Sequence, residues 1–166
     1  VSWDSSFVAV SGSSFHHNYF DGIALYASEH LTFSDFFCYQ NDGAGLSLDN
    51  NLSLVDFHDG EIFENGDVGI FVRESSELTF SNLRITDNQS HGVFAGYNDS
   101  LPGPIGVSRL LFSGCSVTDN AGYGFWLATT IGTNNTLLGC FFQGNTVDAL
   151  SVVGGATLAL EGNSFQ

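Results

Sequence analysis

Apolar and polar positions along the chain recur in one register. An Asn is followed, after three intervening residues, by Gly or Ala, and then by an apolar–x–apolar triplet. The units run Asn18 with Gly22, Ile23 and Leu25; Asn41 with Gly45, Leu46 and Leu48; and Asn65 with Gly69, Ile70 and Val72. They continue as Asn88 with Gly92, Val93 and Ala95; Asn120 with Gly124, Phe125 and Leu127; and Asn145 with Ala149, Leu150 and Val152. Ten and eight residues before each Asn stand Val8/Val10, Leu31/Phe33, Val55/Phe57, Leu78/Phe80, Leu110/Phe112 and, in the last unit, Asn135/Leu137. A further position three residues before it reads Phe15, Cys38, Ile62, Ile85, Val117 and Phe142. Period-2 alternation in short runs predicts strands rather than helices. The Gly, Asn, Asp and Ser between the runs predict turns.

The Asn residues are spaced 23, 24, 23, 32 and 25 apart, and a period of this size means a solenoid. Three short strands per turn of about that length describe a parallel β-helix whose coils stack roughly 4.8 Å apart, like residue upon like. Phe33, Phe57, Phe80 and Phe112 then form a buried ring stack, and the six Asn residues an internal amide ladder. A leucine-rich repeat has an overlapping period but requires Leu or a similar residue two positions after the Asn. Here that column reads Phe20, Gly43, Asp67, Ser90, Gly122 and Val147, which excludes it.

The N-x-x-x-G-[IVLF]-x-[LVA] unit with its preceding apolar pairs resembles the right-handed parallel β-helix repeats of pectate lyase-like proteins, over essentially the whole chain. The expected fold is all-β: a right-handed parallel β-helix of about six coils of roughly 23–25 residues, three short strands per coil. Residues 1–166 are expected to form a single such domain, a slice of a longer β-helix, with an insertion loop at 96–109. The family holds lyases, hydrolases, epimerases, tailspikes, adhesins and non-catalytic surface proteins, so the resemblance speaks to fold more than to function. Its enzyme signatures are incomplete here. His91-Gly92 is similar to part of the G-H-G of polygalacturonases, without their paired aspartates and R-x-K. Arg73 lacks the Asp-rich calcium set of pectate lyases, and the D-P-H of mannuronan epimerases is missing.

Charge narrows the partners. The 166 residues hold three Lys+Arg, all of them arginine, against 18 Asp+Glu, for a formal charge of −15. That field repels nucleic acid and anionic membranes. It also disfavours acidic polysaccharides unless a divalent cation bridges them, leaving neutral glycans or cations as easier ligands. No apolar run approaches a membrane span. Three cysteines show no metal-type spacing; Cys38 reads as packing. Cys115 and Cys140 share a column on adjacent coils, within disulfide reach or stacked as thiols. Sequons in turns at Asn51, Asn98 and Asn134 suit a secreted, surface-exposed glycoprotein.

The candidate site follows from the alternation. Positions flanked by inward residues must point outward, which gives the column Ala24, Ser47, Phe71, Phe94, Trp126 and Ser151. Phe71, Phe94 and Trp126 make an exposed aromatic stripe on three consecutive coils, beside Tyr97 and Arg109 of the loop. Such a stripe marks a binding surface. Glu64, Asp87 and Asp119 precede the ladder Asn on successive coils, at a separation that suits a retaining glycosidase pair or Ca²⁺. Asp35, Asp59 and Asn82 share a column with Gly12, Gly114 and Gly139, which identifies a turn.

The chain is therefore read as an extracellular or cell-surface structural and recognition module, binding glycan through the stripe. Further protein segments or subunits are expected at its two open ends. The alternatives are a polysaccharide-active enzyme using His91, Arg73, Tyr123 and Asp119, or a phage tailspike segment. No resident cofactor is expected; Ca²⁺ is the one metal considered.

Overall fold

The computed structural model describes residues 2–3, 6–96 and 106–166, and among them every regular element is a strand. All strand pairs are parallel, and each joins a strand to its counterpart one coil away. The first sheet holds the apolar triplets after each Asn: Ile23–Tyr26, Leu46–Asp49, Ile70–Val72, Val93–Gly96 and the start of Phe125–Leu138. The second holds the pairs before each Asn: Ser6–Ser11, Glu29–Ser34, Ser53–His58, Ser76–Ser81 and Ser108–Ser113. The third stacks Ser14–His16, Phe37–Tyr39, Glu61–Phe63, Arg84–Thr86, Ser116–Thr118, Phe141–Gln143 and Ser164–Phe165 into seven strands. The molecule is a parallel β-helix of about six coils.

The core lies inside the coils, where the inward columns meet. Phe33, Phe57, Phe80 and Phe112 stack in sequence with centroid separations of 4.9, 5.5 and 4.3 Å, and Phe125 meets Phe112 edge-on. Leu46, Ile70, Val93, Phe125 and Leu127 close the opposite wall. At one corner the Asn side chains link coil to coil. Asn41 Nδ2 donates to Asn65 Oδ1 at 2.9 Å and to the Phe15 carbonyl at 3.1 Å. Its own Oδ1 accepts both the backbone N–H and the Nδ2 of Asn18. The same pattern runs from Asn65 through Asn88 and Asn120 to Asn145. A buried amide so arranged leaves no polar group unpaired, which is why a polar column is tolerated in the interior.

Corners are made by residues with positive φ, repeated coil after coil. The column Gly12, Asp35, Asp59, Asn82, Gly114, Gly139 and Gly162 is one, with φ between 52° and 64°. A second is His17, Gln40, Glu64, Asp87, Asp119 and Gly144. A third is Phe7, His30, Leu54, Glu77, Arg109 and Asn134, at the entry to each strand of the second sheet. There the pairing passes from Ser6–Glu29 to Val8–Leu31 with the register unchanged, so Phe7 and His30 stand side by side outside the ladder.

The three-short-strands rule fails in the last two coils. Phe125–Leu138 and Leu150–Glu161 run as strands of 14 and 12 residues through the corner between the first and second sheets, which merges those sheets into one of 12 strands. Earlier coils turn there on positive-φ residues: Ala27, Asn50 with Asn51, and Glu74. The run Thr129-Thr130-Ile131 places β-branched residues at that corner, and these favour extended backbone. In the fifth coil the bend is taken up by register shifts between Thr129, Gly132 and Asn135, while the last coil keeps a positive-φ residue there, Gly154 at 84°.

Candidate functional site: an aromatic patch on the outer face

The outer face of the first sheet carries a second apolar cluster, separate from the core: Ala44, Val68, Phe94 and Ala128, with Phe71 and Trp126 packed against it. Phe94 and Trp126 stack at 4.6 Å and 21°, and Phe71 tilts onto Phe94 at 5.6 Å. Parallel register sets this spacing, since Phe71 pairs with Phe94 and Phe94 with Trp126. The stripe is less open than alternation alone implies. Phe94 is only 7% exposed, held among Phe71, His91 and Trp126, while Phe71 and Trp126 are half-buried.

Stacking along the helix axis turns the middle of the stripe edge-outward. A free ring face remains only where the stack ends. Past Trp126 the register partner is Ser151, half-exposed and too small to cover an indole. At the other end Phe71 has Ser47 as its partner, and Ser47 is 8% exposed.

His91 and Tyr123 extend the patch sideways. The His91 ring lies 5.0 Å from Trp126 and 5.4 Å from Tyr123, and Tyr123 lies 5.5 Å from Trp126. His91 Nδ1 accepts the backbone N–H of Tyr123 at 2.9 Å, so the neutral ring carries its proton on Nε2. Burial pushes the His91 pKa below its ordinary value, against the opposing pull of Asp67. Space for the imidazole exists because residue 122 is glycine: a Cβ there would fall on Nδ1. In the first coil Asp21 does the same work, its Oδ1 accepting the N–H of Ala44 at 2.8 Å.

The other candidate residues do not assemble with this patch. Arg73 is tied through Nε (2.9 Å) and NH2 to the buried carboxylate of Asp49, and the hydrogen bond keeps it firmly protonated. Arg109 sits at the positive-φ corner of the second sheet, 3.0 Å from Glu77, and so belongs to another edge of the coil. Asp119 stands across the Asn turn, also at positive φ, its carboxylate lying over Gly144. In the same column Glu64 accepts from Gln40 at 2.8 Å and Asp87 from Thr86 at 3.0 Å, so these carboxylates brace the corner. Tyr97 and Asn98 lie outside the described residues.

Asn51 and Asn134 are exposed corner residues, whereas the amide of the remaining sequon, Asn88, is buried in the ladder. Cys38, Cys115 and Cys140 are free and buried. Cys115 and Cys140 lie thiol to thiol; their mutual hydrogen bond and burial raise the Cys115 pKa, and the same bond draws Cys140 down. Among the described residues, no three His, Cys, Asp or Glu side chains are gathered as a metal ion would need. No helix of these residues is long and apolar enough to cross a membrane.

Alternation revealed the aromatic column but missed the side-chain ladder on the third sheet, where His16, Tyr39 and Phe63 stack at 4.8 and 5.0 Å. The same inward–outward rule, applied to Phe15, Cys38 and Ile62, would have found it. A corner cavity of about 520 Å³, flanked by Asn51, Ser53, Glu74, Ser76, Ser108 and Thr133, also carries no signal in the repeat.

Residues 1–165 match the family described as right handed beta helix region. The chain belongs to that family. Two solved structures share the fold of this β-helix protein. The A-module of the Azotobacter vinelandii mannuronan C-5 epimerase AlgE4 aligns with a TM-score of 0.68 at 12% identity, over 95% of this chain and 53% of that one. The A-module of the epimerase AlgE6 from the same organism aligns with a TM-score of 0.51 at 17% identity, over 95% and 58%. The β-helix protein thus spans between half and three-fifths of the length of those chains. No curated protein matches its sequence.

Proposed function

We propose that this β-helix protein is a glycan-recognition module whose contact face is the patch formed by Phe71, His91, Phe94, Tyr123 and Trp126. The observation that carries the reading is the apolar cluster on the outside of a sheet whose fold is already stabilised from within. Such a cluster lies apart from the core that closes the coils, and aromatic rings beside hydrogen-bonding groups suit the C–H faces and hydroxyls of sugars. Likeness in fold to modules named as mannuronan C-5 epimerases supports polysaccharide as the class of ligand.

Binding without turnover is the form of the proposal. Of the groups weighed for catalysis, Arg73 is spent on an ion pair and Asp119 on a corner, and His91 accepts a backbone N–H. The module acts outside the cell. A glycan array with mass-spectrometric analysis of every bound sugar tests the reading. Retention of unaltered glycan, lost in Trp126→Ala, is the expected result. Shortened, unsaturated or epimerised products that vanish on changing His91 would replace the module with an enzyme.

A further inference from the structure

Resting on that reading, we infer that the glycan is uncharged and is gripped at the step from Trp126 down to Ser151, with Asp148 as the acceptor for its hydroxyls. Three observations converge on this. The first is that, among the described residues, no Arg or Lys is spare. The protein has no Lys, and each of its three Arg meets a carboxylate one coil away: Arg73 with Asp49, Arg84 with Glu61 at 2.9 Å, and Arg109 with Glu77 at 3.0 Å. His91, the one basic side chain within the patch, is held as an acceptor and is disfavoured as a cation by burial. A carboxylate or sulfate on the ligand would find no positive partner there.

The second observation is the sign of the surroundings. Asp67 lies close enough to His91 to act on its charge. Asp148 is exposed at the position one coil beyond Tyr123, its carbonyl accepting the N–H of Gly124. A polyuronate would bring its charges against these within a screening length.

The third is the shape of the stack. Trp126 has one face against Phe94 and the other above a serine, so one ring face is available at this step. A pyranose laid there offers C–H bonds to the indole and equatorial hydroxyls to its flanks. Carboxylates accept from sugar diols in strong, charge-assisted hydrogen bonds, and reject anions. Asp148 is thus suited to an uncharged ring and unsuited to a uronate.

The test is a panel of oligosaccharides of matched length, titrated against the purified chain at low and high salt. Oligoglucosides and oligomannosides stand for the uncharged class, oligomannuronate for the anionic and oligoglucosamine for the cationic. The expected result is binding of an uncharged oligosaccharide that changes less than about twofold between low and high salt. That binding should fall at least about tenfold in Trp126→Ala and about threefold in Asp148→Ala, with the thermal midpoint of Asp148→Ala unchanged. Oligomannuronate should not bind, with or without Ca²⁺. Tighter binding of oligomannuronate, lost in Trp126→Ala, would overturn the ligand class while leaving the recognition face standing. Binding of oligoglucosamine alone, abolished by salt, would show only attraction to an acidic surface and overturn the subsite. Silence across the panel, or binding indifferent to Trp126, would remove both this inference and the reading on which it rests.

Discussion

His91 occupies in the fourth coil the place that Asp21 holds in the first, each accepting a backbone N–H from the coil that follows. An imidazole can accept there only while Nδ1 is unprotonated. Its pKa is lowered by burial, so the folded state favours the neutral ring. The stability this contributes is complete above the unfolded value of 6.5 and is lost as pH falls through the lower folded value. Urea denaturation should therefore show a drop in stability as pH falls below about 6.5 that is smaller in His91→Gln, which cannot titrate. An equal drop in both would assign the effect to other groups. Gly122→Ala should displace the imidazole and cost about 1–3 kcal/mol, since the Tyr123 N–H loses its acceptor. A variant as stable as wild type would show that the ring is not seated as described. Gly43 makes room for Asp21 as Gly122 does for His91, since a Cβ there would meet its Oδ1. The role is illegible in sequence, because a Cβ at a nearby glycine such as Gly66 meets the backbone of Asp42 instead.

Within the coil, the Asn ladder and the Phe stack divide the work of holding neighbours in register. Asn88 accepts from both the backbone and the side chain of Asn65, and donates to Asn120 and to the Ile62 and Thr86 carbonyls. Asn88→Ala should cost at least about 3 kcal/mol, because several buried groups lose partners together. Asn18→Ala, at an exposed position with only its donors engaged, should cost about 1 kcal/mol or less. Equal losses at the two sites, measured by denaturant midpoint, would refute the ladder as a cumulative device. The strand pattern and the Asn spacing were legible because packing repeats with the coil, and so does the residue type. Two kinds of corner were not. Phe7, His30, Leu54, Glu77, Arg109 and Asn134 share a positive φ but no chemistry, so no residue preference announces the turn. The corner at Thr129–Gly132 disappears because β-branched residues replace the ones that bend earlier coils.

At the scale of the whole molecule, a formal charge of −15 is spread over a rod held together by parallel ladders. Like charges crowd the compact state, and raising ionic strength from about 10 to 150 mM shortens the screening length from about 30 to 8 Å. The thermal midpoint should rise over that range; a fall would mean that the Arg–carboxylate pairs outweigh the repulsion. The fold is visible in sequence because every coil must solve the same packing problem. Function is written where the coils differ, in one outer row that reads Ala24, Ser47, Phe71, Phe94, Trp126 and Ser151, and a row of six residues holds no motif. The aromatic row was therefore legible, while its buried centre at Phe94 and the separation of Arg73, Arg109 and Asp119 from it required the structure.

Trp126 is one of only two tryptophans, the other being Trp3. In a Trp3→Phe variant, tryptophan emission excited beyond the tyrosine absorption band reports on the proposed contact alone. Titration with an uncharged oligosaccharide that the chain retains should shift or quench that emission saturably, at the concentration where binding is seen by an independent method. Binding that leaves the Trp126 emission unchanged would contradict the account, because the glycan would then be held on some other face.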